Sequence, residues 1–170
     1  MSGQPSGAIV FTDIVGFTEL TALRGDDAAV SLLARQDALI AATLPPDGRV
    51  VKELGDGLLL WFDSARSAVL TSVALQDRYE AESLTDLPLW VRIGIHWGCP
   101  RRRGDDIIGH DVNLASRIAG VAAAGEVLCS LVAAEQAQRD GPLPGITFER
   151  LGPVVVKGIP DPVPLTRVAR

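Results

Sequence analysis

An apolar run ending in aspartate before a Gly-Phe-Thr turn, two β-prone runs joined by Gly-Asp-Gly, and a β, α, β, β, α, β order predict an α+β fold. The arrangement expected is a split βαβ, ferredoxin-like sandwich with an additional C-terminal helix and further β elements. The chain has 170 residues, 47% hydrophobic and 22% charged, which suits one domain over residues 1–170. A chain of this size buries roughly two thirds of its unfolded surface and needs no metal or disulfide to hold a core.

Ala8 to Ile14 reads as a buried strand, and Val15-Gly16-Phe17-Thr18 as a tight turn and helix start. Gly25-Asp26-Asp27 caps a helix through about Leu44, with Val30, Leu33, Ile40 and Leu44 on one face, ended by Pro45-Pro46-Asp47-Gly48. Arg49 to Leu54 and Leu58 to Phe62 form a hairpin, because Gly55-Asp56-Gly57 tolerates positive φ, so Asp56 sits at its tip. Ser64 to about Glu82 is helical through Ala65, Ala68, Val69, Val73 and Leu75, and Leu89 to Trp97 is a strand alternating around Arg92 and His96. Gly98 to Gly109 lacks either period and reads as a polar loop or arm carrying Arg101-Arg102-Arg103 and Asp105-Asp106. Asp111 to about Val121 is helix, Glu126 to Cys129 strand, and Leu131 to Gln138 helix. Thr147 to Leu151 with Val154 to Val156 reads as a terminal hairpin, after which Pro162 and Pro164 leave only a short edge strand. Helices are expected on one sheet face, leaving the opposite face free to build a site.

Sixteen basic against 21 acidic residues give a net charge of −5, which argues against a general binder of nucleic acid or acidic membranes. Cys99 and Cys129 lie outside any ligand pattern, the N-terminus lacks signal-peptide regions, and the stretch from Ile118 to Ala134 is broken by Gly120, Gly125 and Glu126. The expectation is a soluble, cytoplasmic protein without direct membrane insertion. Only Lys52 and Lys157 are lysine among the 16 basic residues, and Asn113 is the one asparagine. The two lysines are either survivors of a strong arginine bias or positions that need a compact ammonium.

Amides at a helix start attract phosphate oxygens, and a carboxylate just before them can hold a divalent cation against the same phosphates. Phe11 to Thr18 has this form, and it is no Walker A loop, since Gly-x-x-x-x-Gly-Lys-[Ser/Thr] occurs nowhere. If the first strand neighbours the hairpin, Asp13 and Asp56 converge, and a Mg²⁺ or Mn²⁺ pair can relieve their repulsion. A cap aspartate and a turn aspartate explain the two residues equally well.

Four motifs resolve that choice: Phe11-Thr12-Asp13-Ile14-Val15-Gly16-Phe17-Thr18, Lys52-Glu53-Leu54-Gly55-Asp56-Gly57, Asn113-Leu114-Ala115-Ser116-Arg117 and Gly152-Pro153-Val154-Val155-Val156-Lys157-Gly158. In this order they resemble the signatures of the class III nucleotidyl cyclase catalytic domain, most like a stand-alone bacterial adenylate cyclase. The resemblance implies a homodimer with active sites at the subunit interface, converting a nucleoside triphosphate to its 3′,5′-cyclic monophosphate and pyrophosphate. It implies that Asp13 and Asp56 bind two divalent cations, Mg²⁺ or Mn²⁺, with the Ile14 carbonyl as a further ligand, and that the Val15, Gly16, Phe17 and Thr18 backbone holds phosphates. Lys52 and Asp106 match the base-selecting pair, Asn113 the residue orienting ribose, Arg117 the charge on the α-phosphate and Lys157 the cation on the terminal phosphates. The aspartates and the remaining groups of one site come from different subunits, so a monomer is expected to be inactive.

Adenine offers an acceptor at N1 beside a donor at N6, and a Lys/Asp pair presents the opposite pattern, whereas guanine's O6 and N1 mismatch both. Each buried mismatch costs on the order of 1 to 3 kcal/mol, so ATP is the expected substrate. Asp105 beside Asp106 is the alternative base contact. The expected reaction is in-line attack of the ribose 3′-oxygen on the α-phosphorus, assisted by both metals and by Arg117, with pyrophosphate leaving. The proton acceptor stays open among Asp13, water and substrate phosphate; His96 and His110 read as structural. Gly125-Glu126-Val127 stands where some relatives carry a phosphate-binding arginine, and Trp61, Trp90 and Trp97 read as packing residues. A guanylate cyclase and a weakly active nucleotide-binding regulatory module are the alternatives. A diguanylate-type cyclase is disfavoured because its Gly-Gly-Asp/Glu-Glu-Phe signature is absent.

Overall fold

Residues alternate across a strand, so a strand apolar at every position must be covered on both faces. Strand β1 (Gly7–Ile14) meets this condition from Ala8 to Phe11: Ala8 and Val10, with Ile14, enter one core cluster, while Ile9 and Phe11 enter another on the opposite side. The structure, a computed structural model, describes residues 4–83 and 87–170.

In chain order, β1 is followed by α1 (Phe17–Arg24), α2 (Asp26–Thr43), β2 (Gly48–Leu54), β3 (Gly57–Phe62), α3 (Ala65–Glu82) and β4 (Val91–Gly98). Then come β5 (Arg101–Arg103), β6 (Asp106–Ile108), α4 (His110–Val121), β7 (Val127–Ser130), α5 (Leu131–Ala137), β8 (Thr147–Val154) and β9 (Val163–Ala169). Among the described residues, seven strands form one sheet in the order β2-β3-β1-β4-β7-β9-β8, in which only the β4–β7 pairing is parallel. This is the expected α+β sandwich with C-terminal additions.

Helices α2, α3 and α5 cover one face, and the buried side of α3 includes the expected Ala65, Ala68, Val69, Val73 and Leu75. Ser64 caps α3 by accepting the Ser67 amide, and Asp47 accepts from the Ser64 amide at 3.2 Å and the Ser67 hydroxyl at 2.7 Å. The buried face of α2 is Ala29, Leu32, Gln36 and Ile40; of the expected face, Ile40 is buried and Leu33 and Leu44 pack against the core, and Val30 alone turns to solvent. Val30 is 65% exposed, because the buried stripe of α2 runs through Ala29, Leu32, Gln36 and Ile40 instead. The start of α2 is Gly25, with no side-chain cap.

The second face is not free. Helix α4 buries Val112, Leu114, Ala115, Ile118 and Ala119, and with Ile107 of β6 it covers Ile9, Leu59 and Trp61. Gly94 of β4 makes this approach possible: a Cβ there would lie 2.2 Å from the Ala119 nitrogen and 2.9 Å from the Ala115 carbonyl oxygen. The polar arm from Gly98 to Gly109 contains a two-stranded hairpin, β5–β6, turning at Gly104-Asp105. Its strands, three residues each, are too short to show an alternation in the sequence, and Ile107 is its anchor.

The C-terminal pairing also differs from expectation. Strand β8 runs through Gly152-Pro153 with a register shift at Leu151 and pairs with β9, not with residues 154–156. Strand β9 lies inside the sheet between β7 and β8, so β8 is the edge. Pro164 is tolerated because β7 pairs with β9 only from Leu165 to Val168, leaving Pro164 opposite Pro153. Trp61 is buried and Trp97 packs against the first cluster, but Trp90 precedes β4 and is 44% exposed.

Gly94→Ala should cost about 3 kcal/mol, because backbone atoms of α4 cannot yield without moving the helix. Urea denaturation read by circular dichroism checks this; a loss below about 0.5 kcal/mol would contradict the close packing.

Candidate active site

The β1 register places Asp13 opposite Gly57 of β3 on one side and Arg92 of β4 on the other. Gly57 has no side chain for a steric reason, since a Cβ would stand 2.7 Å from the Thr12 carbonyl oxygen. Gly55 takes φ 69°, which turns the hairpin sharply and leaves Asp56 beside Asp13. Burial raises the Asp56 carboxyl above its ordinary range, and the neighbouring Asp13 charge raises it further. Arg92 answers part of that charge: its Nε and Nη2 donate to Asp13 Oδ2 at 2.8 and 2.7 Å. Arg92 also donates to the Gly120 carbonyl at 3.1 Å.

Gly16 in the left-handed region starts α1 at Phe17, whose first-turn amides have no intrahelical acceptor. Val15 differs from its neighbours in the loop, because its amide already donates to the Trp90 carbonyl at 2.8 Å. Ile14 is buried, so only its backbone can serve a ligand.

On α4, Asn113 and Arg117 lie one turn apart on the exposed side. They line a cleft of about 380 Å³ with His110, Ser116, Gly158 and Ile159. A Cβ on Gly158 would be 4.0 Å from Nε and Nη2 of Arg117, which places the exposed Lys157 in the adjoining loop. Arg117 also lines a second cleft, of about 290 Å³, with Asp13 and Arg92.

Lys52 on β2 and Asp106 on β6, 54 positions apart in sequence, meet with Nζ donating to Oδ2 at 2.8 Å. That hydrogen bond holds the Asp106 carboxyl below its ordinary range, and the Ile107 amide supports it at 2.8 Å. Asp105 does not share this contact; its carbonyl faces Arg49 at 3.4 Å.

The family model described as the adenylate and guanylate cyclase catalytic domain matches residues 3–166. The chain belongs to the class III nucleotidyl cyclases. An adenylate cyclase of Streptomyces coelicolor is 34% identical over 142 residues, covering 79% of this chain and 35% of that protein. The adenylyl cyclase CyaB of P. aeruginosa superposes with a TM-score of 0.74 at 27% identity, over 97% of this chain and 94% of that one. An adenylate/guanylate cyclase/hydrolase of Silicibacter pomeroyi gives 0.77 at 26%, over 97% and 96%. The cyclase domain spans less than half the length of the first curated relatives it matches.

Several other polar groups in this class III domain have structural partners. His96 joins Ser130 at 2.8 Å and Asp111 at 3.2 Å, and burial lowers its pKa although Asp111 opposes the shift. Asp111 also accepts the Cys99 amide at 2.9 Å, so this cluster ties α4 to β4 and β7. His110 is the first residue of α4 and lines the Asn113 cleft. Glu126 faces Arg167 at 3.5 Å, away from the carboxylate pair's cleft. Burial pushes the Cys129 thiol up to about 12, and Arg101 to Arg103 are exposed. The sequence places Arg92 on a strand without a role; the signal for one is a charge alternating into the face that carries Asp13. No helix among the described residues is long and apolar enough to cross a membrane.

Asp56→Asn should raise the melting temperature at pH 7 in chelating buffer. A raised folded-state pKa means that ionising Asp56 costs folding free energy, a cost absent below the ordinary 3.8 and complete above the folded value. The gain should therefore shrink as pH falls toward about 3.8; a gain independent of pH in thermal melts would rule out charge repulsion as its cause.

Proposed function

We propose that this cyclase domain forms 3′,5′-cyclic AMP and pyrophosphate from ATP at two sites shared across a homodimer. The observation carrying the choice of base is the Lys52–Asp106 contact at 2.8 Å. Its ammonium can donate to adenine N1 and its carboxylate can accept from N6; guanine would set donor against donor and acceptor against acceptor. The pair is half-exposed, so a base can reach it without unfolding the arm.

Asp13 and Asp56, with the Ile14 carbonyl, are the groups suited to hold Mg²⁺ or Mn²⁺, because two neighbouring carboxylates with one raised pKa favour added positive charge. When bound, such ions supply charge stabilisation for the triphosphate and acidify the ribose 3′-hydroxyl. The chain's own residues do the rest. The Gly16, Phe17 and Thr18 amides receive phosphate oxygens, Asn113 orients the ribose, Arg117 meets the charge that grows on the α-phosphate, and Lys157 holds the terminal phosphates.

Two copies are invoked because Lys52 and Asp106 line neither the Asp13 cleft nor the Asn113 cleft of one chain. A second copy set across these faces brings the base pair of one opposite the carboxylates of the other.

Cyclic AMP production from ATP with Mn²⁺ or Mg²⁺ is the assay, run beside GTP. ATP should be preferred, and Asp56→Ala or Arg117→Ala should lower kcat by about a hundredfold or more. No product from a verified dimer, while a reference cyclase turns over in the same assay, would refute the activity; faster GTP turnover would refute the base assignment.

Mixing Asp13→Ala with Arg117→Ala one to one should restore about one quarter of wild-type activity, since half the dimers are mixed and each has one complete site. Continued inactivity despite subunit exchange, read by native mass spectrometry, would overturn the shared site.

A further inference from the structure

Arg92 grips Asp13 in a way that bears on metal uptake. Both Nε and Nη2 address one oxygen, Oδ2, while Nη1 bonds the Gly120 carbonyl in the last turn of α4. A guanidinium stays charged at any working pH, and a helix C-terminus favours a cation beside it, so this contact is anchored at both ends. The two carboxylates and Arg92 together carry one net negative charge, not two. A divalent ion approaching Asp13 and Asp56 must share Asp13 with a fixed positive charge already bonded to it.

We infer that Arg92 is a positioning residue that competes with the divalent ion for Asp13. It orients and partly neutralises the carboxylate before a metal arrives, and thereby sets how tightly the protein takes up metal without nucleotide. The inference rests on Asp13 and Asp56 being the metal ligands. It separates two effects that loss of a structural ion pair would merge: a merely structural Arg92 would, on removal, loosen the site and weaken metal binding, whereas a competitor would, on removal, tighten it.

The test is Mn²⁺ titration of the whole chain, freed of metal by chelator and kept without nucleotide, with free Mn²⁺ read by its electron paramagnetic resonance signal. Arg92→Gln should lower the Mn²⁺ Kd by about tenfold, and Arg92→Lys, which keeps the charge, should stay within about threefold of wild type. Arg92→Met is measured alongside, so that poor folding of one variant, seen by circular dichroism, does not decide the outcome. Asp13→Asn should abolish this uptake in every background. If Asp13→Asn abolishes uptake but Arg92→Gln and Arg92→Met bind Mn²⁺ no more tightly than wild type, the competition is overturned and the metal ligands stand. If Asp13→Asn leaves uptake unchanged, the ligand assignment fails and the competition fails with it.

Discussion

Two like charges held side by side are the constraint around which this domain is arranged. Asp13 and Asp56 come together because β1 runs between β3 and β4, and because Gly57 lets the hairpin pass close to the Thr12 carbonyl. Such a pair opposes folding unless positive charge is at hand. Arg92 provides it from β4, and the same register that pairs Asp13 with Gly57 on one side pairs it with Arg92 on the other. The carboxylate cluster is therefore set by the β1 register together with the tight β2–β3 turn that carries Asp56. Its precision comes from backbone ladders buried on both faces.

Helix α4 supplies the second requirement. It packs on the sheet through Val112, Ala115, Ile118 and Ala119, against the bare backbone of Gly94, and turns Asn113 and Arg117 outward. Packing and chemistry thus use opposite sides of one helix, separated by the 3.6-residue period. His96, Asp111 and Ser130 join the helix to β4 and β7, so the exposed side keeps a set orientation to the sheet. The β5–β6 arm works similarly: Ile107 is driven into the core while Asp106 beside it reaches Lys52.

Much of this was legible in local pattern. The strand before the Gly-Phe-Thr turn, the Gly-Asp-Gly hairpin and the α3 face follow from period and turn chemistry acting over a few residues, and the structure places them within one or two positions. The neighbouring of Asp13 with Asp56 followed from the hairpin and strand order. The resemblance pairs Lys52 with Asp106 in base selection; the structure adds a direct contact between them that Asp105 does not share. What escaped depended on distant partners. Hydropathy puts Val30 on the inner face of α2, where the structure buries Gln36, and Pro162 and Pro164 point to an edge strand, where Pro164 in fact lies opposite Pro153 inside the sheet.

The amino-acid order alone determined most of the helices and strands up to β4 and the tight turns at Gly16 and Gly55-Asp56, because those properties act over one turn or one strand. Tertiary structure decided which faces were covered and which charges met. It laid α4 on the face expected to be open, engaged the Val15 amide with the Trp90 carbonyl, and brought Arg92 to Asp13. These outcomes depend on strand register and helix approach, where a shift of a single residue reverses which side chains meet, and no local preference specifies that register.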